Sequence, residues 1–140
     1  MLTVAHSERF LVPNRSQDWF RQAESDLRHA ERSRDDGEHD WACFAAQQAA
    51  EMAVKALHLH LGQEAWGHVV AKLLRELPPA AGVTEDLFQK AQVLDGYYIP
   101  PRYPNGHPSG APFEHYGPLH SDGAVRYARE IVEFVRPQVA

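Results

Sequence analysis

An all-α fold, an up-and-down antiparallel bundle of about five helices with a long Pro/Tyr-rich loop before the last one, is what the sequence predicts. Two observations carry this. Apolar residues recur at helical spacing in five segments, and no segment alternates as a half-buried strand would. Six of the ten prolines crowd into residues 99–120, where that periodicity stops. At 140 residues the chain is long enough to bury a core without disulfides or metals.

The segment "MLTVAHSERFLVPNR" reads as an irregular arm over residues 1–15, ahead of a single helical domain over 16–137. Ser16 is the expected N-cap of the first helix, which runs to about Asp35 with Trp19, Phe20, Ala23, Leu27 and Ala30 inward and Gly37 ending it. Asp40 is the expected cap of a longer helix, "WACFAAQQAAEMAVKALHLHLG", closed by Gly62 and pairing antiparallel with the first. Trp19 and Trp41 read as core. A shorter helix is expected from about His68 to Leu77, where Pro78 and Pro79 stop it. Thr84 caps a fourth helix carrying Leu87, Ala91, Leu94 and Tyr98, and Ser121 is the expected cap of the last, with Ala124, Val125, Ala128, Ile131, Val132 and Val135 inward.

Charge and cysteine content exclude several classes. The net charge of −5 is not that of a protein coating nucleic acid through phosphate contacts, so any such contact is local. The single cysteine, Cys43, sits in an alanine-rich helical run and reads as a small buried apolar residue in a reducing compartment. No apolar run reaches membrane-spanning length and the amino-terminal segment does not fit a signal peptide, so a soluble, cytoplasmic protein is expected. Nor do the histidines make a metal site: His58 and His60, two apart on a helix, point in different directions. No metal and no cofactor are expected.

The loop "YYIPPRYPNGHPSGAP" holds the candidate chemistry. Arg102 and His107 bracket four residues, and such a pair can work on a phosphodiester, the guanidinium holding phosphate oxygens while the imidazole moves a proton. Spacing alone is not specific, because Arg34 with His39 satisfies it too. On the second helix Gln48, Glu51 and Lys55 form a ridge expected to be half-buried. A half-buried carboxylate requires a partner, and Arg102 is the expected partner of Glu51, holding the loop against the helix. Tyr97, Tyr98, Tyr103, Phe113 and Tyr116 make the loop too apolar to leave in water, so it should pack on the bundle or on a second subunit.

In the order "QQAAEMAVKALHLH", "GHVVAKLLREL", "LDGYYIPPRYP" and "AVRYAREIVEFV", the chain resembles the HEPN domain family over residues 16–136. The most specific piece is "YYIPPRYP", similar to a run in stand-alone prokaryotic members. The resemblance implies a five-helix bundle and a homodimer, whose active members are metal-independent endoribonucleases of toxin-antitoxin systems. It places their acid, lysine, arginine and histidine on Glu51, Lys55, Arg102 and His107, with RNA or a nucleotide as ligand and Tyr103 beside the arginine. The alternative reading is a non-catalytic nucleotide-binding or protein-interaction partner of a separately encoded minimal nucleotidyltransferase. The sequence departs from the family motif at Tyr103, Pro104 and Gly106, and Ser109 stands where some toxin members carry a modified tyrosine.

Overall fold

The computed structural model describes residues 14–140, so the amino-terminal arm lies outside the described residues up to position 13. Five α-helices and no strand occur among the described residues: α1 Ser16–Asp35, α2 His39–His60, α3 Val70–Arg75, α4 Glu85–Asp95 and α5 Pro118–Val135. Short 3₁₀ turns at Pro79–Ala81, Pro104–Gly106, Pro112–Glu114 and Arg136–Gln138 punctuate the connections.

Helix α2 is the centre of the molecule. Its alanines Ala42, Ala46, Ala49, Ala50 and Ala53 are fully buried, and burial runs around nearly its whole circumference. Small side chains let neighbouring helices approach on several sides, which is the pattern of a helix enclosed by others. Helix α1 packs antiparallel to it through Phe20, Ala23, Leu27 and Ala30, with the Asn14 side-chain amide near its start donating to Leu59 O near the far end of α2. Helix α5 runs antiparallel to α1, tied by Arg34 to Asp122 at one end and Gln17 to the Val139 carbonyl at the other.

Direction alternates along the chain except at α3. The Gln47 amide donates to His68 O and the His58 Nε2–H to Leu73 O, so α3 follows α2 in the same sense. Residues 61–69 therefore carry the chain back before α3 begins. Helix α4 returns against α3, and its last residue, Asp95, accepts from the backbone N–H groups of Val70 (2.6 Å) and Ala71 (3.2 Å), capping α3 across 25 residues of sequence.

Several local expectations change, one of them at α4, which ends at Asp95 and so does not carry Tyr98. Ser16 is the first helical residue rather than the cap: its N–H donates to Asn14 Oδ1, and Arg15 occupies the N-cap. Helix α2 starts at His39, one residue before Asp40. Helix α3 is shorter at both ends than His68–Leu77: Asp95 fixes its start at Val70, and it ends at Arg75. Helix α5 begins at Pro118, since proline at the first position costs no hydrogen bond, while Ser121 is fully buried and bonded to His39 Nδ1 at 2.7 Å. Thr84 caps α4 as expected, accepting from Leu87 N–H at 3.1 Å. Trp41 is 47% exposed, so it is not core; Trp19 packs half-buried against the core.

Candidate functional site

A stripe of polar residues at i, i+4 and i+8, Gln47, Glu51 and Lys55, runs along the otherwise apolar α2. All three are buried, deeper than the half-burial expected of the Gln48, Glu51 and Lys55 ridge, although Gln48 itself is half-buried. Glu51 is 2% exposed and its carboxylate is fully engaged. It accepts from Lys55 Nζ at 3.0 Å, from His68 Nδ1 at 3.1 Å to each oxygen, and from the Gln47 amide at 3.2 Å. Gln48 closes the row by donating to Gln47 Oε1 at 2.7 Å. A buried carboxyl group this densely bonded is satisfied by its neighbours rather than by water.

Arg102 is not the partner of Glu51. Among the described residues it forms no ion pair; its Nε–H donates to Tyr98 O at 2.7 Å, and its guanidinium lies over the rings of Phe44 (4.1 Å from the centroid), Tyr98 (4.7 Å) and Tyr103 (5.4 Å). The physical reason is supply: Lys55, Gln47 and His68 already satisfy Glu51, and the aromatic faces offer a delocalised cation a second favourable seat. The arginine still reaches the acid's surroundings through one ring. His68 stacks on Tyr98 with centroids 4.4 Å apart and planes at 16°.

His107 is held inside the loop. Its Nε2–H donates to Pro100 O at 2.7 Å, its ring stacks on His115 at 4.1 Å with planes 2° apart, and Tyr116 meets it edge-on at 5.7 Å. His115 in turn donates to Ser109 O at 2.6 Å. Gly106 fits only as glycine, because a Cβ there would lie 2.9 Å from the Pro100 Cα. The loop thus packs on itself and on the bundle through half-buried Tyr97 and Tyr116. Tyr103 and Phe113 depart from this, at 49% and 69% exposure.

Among the described residues, no three His, Cys, Asp or Glu side chains are grouped so as to hold a metal ion, and no helix is long and apolar enough to cross a membrane. Cys43 is fully buried, and burial with the charge of Asp40 pushes its thiol up to about 12.

The structure thus brings Glu51 and Lys55 together, sets Arg102 and Tyr103 in contact with each other, and holds His107 against Pro100. Sequence reasoning missed His68, Tyr98, Phe44 and Gln47. The i, i+4 spacing of Gln47 to Glu51 was available as a signal, whereas the His68 contact spans 17 residues of chain and an irregular connection.

An all-helical domain with a buried carboxylate stripe and an arginine-bearing proline loop is the class that fold and site define. The HEPN domain model matches residues 16–138, and the chain belongs to the HEPN domain family. Its structure is similar to the crystal structure of TT1696 from Thermus thermophilus, with a TM-score of 0.88 and 51% identity over 90% of this chain and 99% of that one. It is also similar to ST0689, an archaeal HEPN homologue (TM-score 0.75, 38% identity, 89% and 98% covered), and to a HEPN domain protein, tm0613, from Thermotoga maritima (TM-score 0.69, 35% identity, 86% and 95% covered). No match was found among curated proteins.

Proposed function

We propose that this chain is a phosphate-recognising binding module, taking a nucleotide or single-stranded RNA at Arg102 and acting as a homodimer with a separately encoded minimal nucleotidyltransferase as its partner in a toxin-antitoxin type pair. The observation that carries the non-catalytic reading is the state of His107. A general base must reach the proton it removes; the His107 Nε2–H is spent on the Pro100 carbonyl and one ring face is covered by His115, so the ring is braced inside the loop with Nδ1 as its one remaining nitrogen, which favours a structural role over proton transfer. Arg102 is tied to the loop in a similar way but keeps more donors. Only its Nε is bonded among the described residues, which leaves both terminal nitrogens for phosphate oxygens. Tyr103, exposed and 5.4 Å from the guanidinium, offers a face on which a base can stack. Lys55 and Glu51 serve the site from beneath, as buried supports.

Assembly as a dimer is supported by the exposed apolar residues Trp41, Ile99, Tyr103, Phe113 and Leu119, which lie on the loop and on the helix starts beside it. Sedimentation should give a dimer mass at micromolar concentration. The decisive experiment for function is incubation of the purified protein with labelled single-stranded RNA in excess chelator. Retention of intact RNA is expected; chelator-resistant cleavage that disappears in His107→Ala would replace this reading with the endoribonuclease.

A further inference from the structure

We propose that His68, oriented by Glu51, is a second phosphate-contacting residue beside Arg102, so that ligand binding is linked to proton uptake. This rests on the phosphate-binding reading above and adds to it a residue and a dependence on pH. The imidazole gives Nδ1–H to both oxygens of the buried Glu51 carboxylate at 3.1 Å, which fixes the tautomer and leaves Nε2 as the uncommitted nitrogen. Unlike Glu51, the His68 side chain is 53% exposed. Its ring lies flat on Tyr98, 4.4 Å away, and the Arg102 guanidinium sits 4.7 Å from the centroid of that same ring. One tyrosine therefore carries both groups.

In its neutral form His68 has no proton on Nε2 and cannot donate to a phosphate oxygen. Proton uptake gives the ring two N–H donors, one kept by Glu51 and one available to ligand. The surrounding charges accommodate this. Glu51 and Lys55 face the ring from α2 and form an ion pair at 3.0 Å; Asp26 on α1 and Asp95 on α4 add negative charge near Glu51, and Arg102 is the cation on the loop side. Three carboxyls, one lysine and one arginine therefore stand around the ring and its Glu51 partner. A ligand that spans Tyr98 then meets an imidazolium at His68 and a guanidinium at Arg102, each able to make a charge-assisted hydrogen bond.

The test is binding of two probes, ATP and a fluorescein-labelled octamer RNA without a terminal phosphate, measured from pH 8 to pH 5.5 on wild type, His68→Ala, His68→Gln and Arg102→Ala, with His60→Ala on exposed surface as background. Wild type and His60→Ala should bind about tenfold tighter at the acid end. Both His68 variants should lose that rise, and His68→Gln, which keeps a donor for Glu51, should do so with a near-normal melting temperature. Linkage seen with ATP alone assigns the site to terminal phosphates, and linkage with RNA alone to the diester backbone. If Arg102→Ala weakens binding while His68→Gln keeps the wild-type pH profile, His68 is not a ligand contact and only this inference fails. If Arg102→Ala binds as wild type does, or neither probe binds, the underlying phosphate reading fails with it.

Discussion

Glu51 and His68, 17 residues apart in sequence, meet through both carboxylate oxygens at 3.1 Å, and this contact joins the buried polar stripe of α2 to the exposed surface around Arg102. The stripe is therefore the floor of the site.

Truncating Glu51 should be costly. Glu51→Ala leaves buried Lys55 without its counter-charge and Gln47 without an acceptor, a loss of about 3–5 kcal/mol. Glu51→Gln keeps an acceptor and should lose less. Urea denaturation reads both, and a change near zero for Glu51→Ala would mean that Lys55 escapes to water.

Asp95 sets a pH dependence of known sign. Burial raises its carboxyl above the ordinary aspartate value of 3.8, an effect only partly offset by the Val70 and Ala71 N–H groups. The native state therefore holds the proton more tightly than the unfolded chain, so the stability that Asp95 contributes falls as pH rises through the window above 3.8. Asp95→Asn keeps an oxygen acceptor and removes the titration. Wild type should gain on this variant as pH falls from 7 towards about 4; wild type losing ground would reverse the assignment.

Two glycines predict opposite outcomes. Gly106→Ala drives a Cβ to 2.9 Å from the Pro100 backbone and should cost about 1–3 kcal/mol while loosening the His107 to Pro100 hydrogen bond. Gly123, inside α5 with open space around its Cβ, should stabilise by about 0.5–1 kcal/mol when changed to alanine. Melting temperatures of the pair check both signs.

Cys43 should be unreactive in the native protein. With no exposed surface and its thiol pushed up to about 12, it should resist a thiol reagent at pH 8 and be modified on unfolding. Rapid labelling of folded protein would contradict its burial.

The helices were legible because each writes its own signal. The Phe20, Ala23, Leu27 and Ala30 spacing, the Thr84 cap, and Gly37 and Gly62 at φ +78° and +75° are local features that read correctly in isolation. What failed was decided across the fold. Asp95 starts α3 from 25 residues away, Ser121 looked like a cap but bonds to His39 at a distance of 82 residues, and Glu51 takes His68 rather than Arg102. The spacing of Arg102 and His107 was visible, but not that a proline-rich turn would tie the His107 Nε2 to the carbonyl of Pro100.

Arg102 as a ligand-facing cation seated on aromatic rings is the central claim. The measurement is the affinity of labelled single-stranded RNA and of ATP for Arg102→Ala, set beside its urea midpoint. Losing one hydrogen bond and the contacts with Phe44 and Tyr98 should cost about 1–2 kcal/mol of stability, while affinity should fall at least tenfold, ~1.4 kcal/mol of binding. A variant that loses stability yet binds both ligands as tightly as wild type would make Arg102 a loop anchor alone and contradict the site.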